Sequence, residues 1–133
     1  MQTERLKSFL EAMNSGKEVH GGSPAHLCMH ELSQEALRIT MQINCSYHTP
    51  EELRALFSEL FGKPVDETFA CFPPFYTDCG KNTTIGKNVF INTGCKFQDQ
   101  GGITIGDGSL IGHNVVLATL NHSLLESKRA NLI

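Results

Sequence analysis

The amino-acid sequence predicts a mainly β protein, a parallel β-helix preceded by a small N-terminal α-helical region. Three observations predict it: helical periodicity in the first half, a six-residue period from about residue 71, and the change from one to the other near residue 66. The chain accordingly divides into a helical segment, 1–66, and a β-helical segment, 67–133.

Leu6, Phe9, Leu10 and Met13 fall at i, i+3, i+4 and i+7, one apolar stripe closed by Asn14-Ser15-Gly16. A Gly/Pro/His-containing loop, "GKEVHGGSPAHLCMH", is expected next. Leu32, Ala36, Ile39 and Ile43 mark a second helix, with Leu37 and Met41 widening its stripe. The third helix is the best signalled. Thr49 suits an N-cap, Pro50 the first helical position, and Glu52 completes a capping box. Leu53, Leu56, Phe57, Leu60 and Phe61 supply its apolar face, and Gly62 with Pro64 ends it.

Counting back by sixes from Leu117-Ala118 gives Ile111-Gly112 and Ile105-Gly106. After an offset of two residues at "QDQGG", the count continues through Phe97-Gln98, Ile91-Asn92, Ile85-Gly86 and Cys79-Gly80. Six is the period of neither a helix nor an ordinary strand. It suits a chain wound into a prism, in which each unit supplies a short strand with an inward aliphatic residue, then a corner where a small residue fits crowded backbone. Each coil buries its faces against its neighbours, so exposed strand edges are expected where the winding is uncapped.

Composition narrows the function. Apolar residues at 40% and charged residues at 19% argue against wholesale disorder. A formal charge of −3 with no Lys/Arg cluster argues against nucleic acid or an anionic membrane as partner. No apolar run approaches a membrane span, and "MQTERLKSFLEAMN" lacks the apolar centre of a signal peptide. Five cysteines, an odd number without CxxC spacing, read as reduced thiols in a cytoplasmic protein.

Residues 73–122 carry "PPF", "D-x-G-x-N", "VFIN", "GGITIGD" and a terminal "NH" in order. With these motifs the chain resembles the hexapeptide-repeat sugar O-acetyltransferases, the maltose, galactoside and nodulation-factor group. The helices, with "MNSGKEV" after the first, are similar to the small domain that precedes the repeat there. The resemblance implies a left-handed winding, an exception to the usual right-handed crossover. It also implies a homotrimer with active sites between adjacent prisms, acetyl-CoA as co-substrate, a sugar hydroxyl as acceptor, and no metal.

Acyl transfer to a hydroxyl needs a general base and donors for the developing oxyanion. His122, in "NH", matches the family's catalytic histidine. Asn92, in "FIN", matches the asparagine that contacts the acceptor sugar, and as a corner amide it also suits a bond to its own turn. Asp78, in "YTDCG", matches an acceptor-contacting position and equally suits a turn. Asp99 lies in "QDQ", where the family places an acid near the acceptor, with Gln100 beside it. No residue is assigned to the CoA. The chain departs from the family in lacking an acid after Val19, which leaves hexose preference open. It also stops at "NHSLLESKRANLI", short of the coils that supply most CoA contacts in the family, so a non-catalytic truncated trimer is the alternative.

Two metal readings are weaker. A three-histidine zinc site of the γ-carbonic anhydrase kind has only His113 and His122 in the repeat. His20, His26, Cys28 and His30 match no standard structural zinc spacing.

Overall fold

The structure is a computed structural model that describes residues 3–133. Three helices come first: α1 (Thr3–Asn14), α2 (Pro24–Cys45) and α3 (Pro50–Phe61). The capping box of α3 forms as its sequence dictates. Thr49 accepts from the Glu52 amide, the Glu52 carboxylate accepts from the Thr49 amide, and Gly62 closes the helix in the left-handed region at φ 70°. Helix α2 begins earlier than its apolar stripe suggests. Ser23 caps it and Pro24 takes the first turn, so the end of the expected loop is helical, and Cys28 and Met29 join Leu32 in the core. Leu37 and Met41, expected to widen the stripe, are exposed instead.

Eight short strands follow: β1 (Ala70–Cys71), β2 (Phe75–Thr77), β3 (Thr83–Ile85), β4 (Phe90–Ile91), β5 (Cys95–Gln98), β6 (Ile103–Ile105), β7 (Leu110–Ile111) and β8 (Val116–Ala118). All pairing is parallel and builds three sheets, ordered β1-β4-β7, β2-β5-β8 and β3-β6. Strands adjacent in sequence lie in different sheets, so the chain winds as a three-sided prism. The expected "mainly β" balance is corrected here. Helices of 12, 22 and 12 residues outweigh strands of two to four, because a winding chain spends most of each turn on corners.

Ala70 pairs with Phe90, and Phe90 with Leu110, so one turn takes 20 residues rather than 18. The register also corrects the six-residue count at its first unit. Thr77, not Cys79, stacks on Phe97. The two-residue interruption at 99–102 therefore recurs one turn earlier at 78–82, on the same corner of the prism.

The helices close the first turn of the winding. Asn44 of α2 accepts from the Phe75 amide at 2.9 Å and donates to the Phe75 carbonyl at 2.8 Å, taking the place of a neighbouring strand at the edge of β2. Phe57 and Phe61 of α3 pack with Phe69 and Phe75, and Phe75 packs on Phe97 at 5.0 Å between ring centroids. Phe57, Phe75, Ile39, Ile43, Ile91 and Cys95 belong to one buried cluster that joins helices to prism. Each such phenylalanine contributes about 1.5–3 kcal/mol by its burial. A second cluster gathers Phe9, Met13, Cys28, Leu32, Cys79 and Leu132 beneath α1. At the far end, β6, β7 and β8 each lack a neighbour on one side, and Leu110 and Val116 are exposed. The tail turns back through a 3-10 turn, Glu126–Lys128, so that Leu132 bridges both His122 and Val19. Among the described residues no helix is long and apolar enough to cross a membrane.

Candidate functional site

Successive strands define three corners, and one carries most of the chemistry. It comprises residues 78–82 after β2, 99–102 after β5 and 119–122 after β8. Asp78, Asp99, Gln100 and His122 therefore lie along one edge of the prism. Asn92 lies on a different corner, between β4 and β5, and one chain does not bring it to the others.

His122 follows β8 and is exposed. Its Nδ1 lies 2.9 Å from the Arg129 carbonyl oxygen. A carbonyl can only accept, so in this geometry Nδ1 carries the proton and Nε2 keeps the lone pair of the neutral ring. The Asn121 side chain accepts from the His122 amide at 2.8 Å, which steadies the residue from its own turn.

Asp99 is corrected by the structure. Expected to face the acceptor, it is fully buried and accepts five hydrogen bonds from the turn before it. Oδ1 takes Thr77 Oγ1 at 2.9 Å and the amides of Cys79 and Gly80 at 3.0 Å each. Oδ2 takes the Asn82 amide at 3.3 Å and Thr83 Oγ1 at 2.9 Å. The carboxylate thus holds the 78–82 loop, whose amides the lengthened corner would otherwise leave without partners.

Gln100 takes the place expected for an acid. Its side chain hydrogen-bonds the Asp78 carboxyl, while its own Oε1 is buried without a partner. Partial burial is the largest effect on Asp78 and raises its pKa, the Gln100 bond opposes that rise, and the Asp99 charge adds to it. Asp78 divides two recesses. One, about 310 Å³, is shared with Gln100, Thr77 and the α2 residues His30 and Ser33. The other, about 250 Å³, is shared with Tyr76, Lys96 and Gln98. Ser33 was not picked out from the sequence, and His30 was weighed there only as a metal ligand. Their i, i+3 spacing on α2 was the available signal, hidden by the loop expected there.

Asn92 accepts from the Thr93 amide at 2.8 Å through its side-chain oxygen, the bond to its own turn that its corner position suits. Its side-chain NH₂ is left for another partner. His113 is exposed on that same corner after β7. Among the described residues, no three or more His, Cys, Asp or Glu side chains gather as a metal site.

A parallel prism of hexapeptide units behind a helical cap, with a histidine on its corner, can be set beside known proteins. The chain is 35% identical over 81 residues to the galactoside O-acetyltransferase of Escherichia coli. Several of its relatives are acetyltransferases. The match to the galactoside enzyme covers 61% of this chain and 39% of the relative. Among solved structures, a maltose O-acetyltransferase from Clostridium difficile matches at TM-score 0.80 and 25% identity, over 92% of this chain and 65% of that one. A hexapeptide-repeat acetyltransferase from Vibrio cholerae, complexed with acetyl-CoA, matches at TM-score 0.70 and 33% identity, over 91% of this chain and 63% of that one. No family model matches. The chain thus spans less than two thirds of these acetyltransferases.

Proposed function

We propose that the chain belongs to an acetyl-CoA-dependent sugar O-acetyltransferase, a cytoplasmic homotrimer of left-handed prisms, with 1–66 as a helical domain and 67–133 as the winding. The observation that carries the reading is the His122 ring, whose Nδ1 faces a carbonyl and whose Nε2 is thereby left as a base. Nε2 removes the acceptor hydroxyl proton as that oxygen attacks the thioester carbonyl. The tetrahedral intermediate then collapses, the carbon–sulfur bond breaks, and the imidazolium returns the proton to the departing thiolate. Asp78 offers a carboxyl to acceptor hydroxyls, and Gln100 lines the recess beside it. Asn92 stands on another corner, so it joins His122 only where two prisms lie side by side, which supports sites shared between neighbours in a trimer. Asp99 acts indirectly, by holding the Asp78 loop.

The test is thiol release from acetyl-CoA across a panel of hexosides and thiogalactosides, using the 133-residue chain and a longer chain carrying further repeats. Acceptor-dependent release that falls about 10²–10⁴-fold in His122→Ala is expected. Release unaffected by that substitution removes His122 from the chemistry. No release from either chain favours the non-catalytic trimer.

A further inference from the structure

An apolar recess lies away from the His122 edge, at the opening turn of the prism. It is about 430 Å³, within the range of roughly 300–1,000 Å³ typical of small-molecule sites. It sits between the α2–α3 connection, α3 and the segment 69–73, against β1, the first strand of its sheet. Ile43, Leu53, Phe69 and Phe72 supply an apolar lining.

Tyr47, among its polar lining groups, is exposed, and most of the others are already engaged. Asn44 spends both ends of its amide on Phe75. His48 Nε2 bonds the Gln42 carbonyl at 2.7 Å and lies 3.3 Å from Ser46 Oγ, and its Nδ1 faces Glu52 at 3.4 Å. Arg54 remains. It is half-buried at the recess, and no acidic side chain among the described residues pairs with it. Glu52, on the same helix, is already shared between His48 and Thr49. A hydrocarbon-lined recess with a single uncommitted guanidinium selects for an apolar body bearing one anionic group, and the planar fork of arginine matches a carboxylate.

We propose that this recess binds a small amphipathic carboxylate, with its acid group on Arg54 and its hydrocarbon against Ile43, Leu53, Phe69 and Phe72. The site is independent of acyl transfer, since it shares no residue with the recesses beside Asp78. The chain's formal charge of −3 repels anions in general, so affinity for one would report this local group and not the protein's overall field.

The test is amide chemical-shift mapping of the 133-residue chain titrated with sodium octanoate, with 1-octanol as the neutral probe of equal length. Octanoate is expected to shift amides in 43–54 and 69–73 and to bind roughly tenfold more tightly than octanol. Arg54→Gln should erase that preference while leaving octanol binding unchanged, which also shows that the recess is still formed. Arg54→Lys should keep part of the preference. Equal binding of the two probes, octanoate binding untouched by Arg54→Gln, or shifts elsewhere on the protein would overturn the proposal. So would shifts of these amides that follow protein concentration alone, since they would make a second copy of the chain the occupant.

Discussion

Replacing Asp99 by asparagine removes the charge while nearly preserving shape, and its cost can be worked from the five donors that Asp99 serves. The asparagine oxygen can stand where Oδ1 stands and keep Thr77 and the amides of Cys79 and Gly80. The new NH₂ then faces the Asn82 amide, donor against donor, and Thr83 Oγ1, which can rotate to accept. One buried amide left unpaired costs about 1–3 kcal/mol, and the three retained bonds weaken as their acceptor becomes neutral. Relief of the desolvated charge offsets part of this, so the expected net loss is about 2–4 kcal/mol. That is a large share of the roughly 5–15 kcal/mol that holds a typical domain together. Asp99→Ala, which strands all five donors, should cost more. Urea unfolding followed by circular dichroism measures both. An Asp99→Asn chain within about 0.5 kcal/mol of the parent would refute the view that an ionised carboxylate organises this corner.

Lys81 is buried and donates to the Glu59 and Leu60 carbonyls at 3.0 and 2.8 Å, at the C-terminus of α3, with Glu35 at 3.5 Å. Lys81→Met should therefore cost about 2 kcal/mol in the same unfolding measurement, and a neutral result would make those contacts energetically idle. Gly80 has φ 82°, and a Cβ there would lie 2.5 Å from the Leu60 carbonyl oxygen. Gly80→Ala should thus lower the melting temperature and increase proteolysis near α3, by an amount exceeding about 1 kcal/mol. Glu52 is held below its ordinary pKa of 4.5, chiefly by its hydrogen bonding with Thr49. The folded state releases this proton more readily than the unfolded state. The stability gained is complete above the ordinary value and is lost as pH falls through the lowered one. Thermal melts from about pH 6 to about pH 3 should accordingly fall less steeply for Glu52→Gln than for the parent.

Local features were the legible ones. The capping box at Thr49 and Glu52 is contained in four consecutive residues, and it forms as read. The winding was legible because the inward residue recurs in sequence, yet its phase slipped at Cys79. A corner that is lengthened equally in both turns leaves no break when each turn is compared with the next, and only pairing across turns reveals Thr77 beneath Phe97. The start of α2 was missed because histidine, glycine and proline near Ser23 resemble a loop, although Ser-Pro is also a helix opening. At "QDQ" the sequence gives adjacent polar residues without an inside or an outside. Which one turns inward depends on five donors 16 to 22 residues away. The burial of Lys81 has the same origin, since its acceptors are carbonyls at the end of a helix 21 and 22 residues earlier.

The 20-residue register has a consequence for how this edge can vary. Successive turns are stacked at the spacing of hydrogen-bonded strands, about 4.8 Å. Side chains on one corner therefore stand on a ladder of fixed rungs. A group can be relocated along the edge by a whole rung, by moving the residue type 20 places along the chain, while smaller adjustments fall to rotamers and to the lengthened loop. Matching a longer or shorter ligand on such an edge becomes a choice of rung, made by substitution alone, with the backbone left as it is.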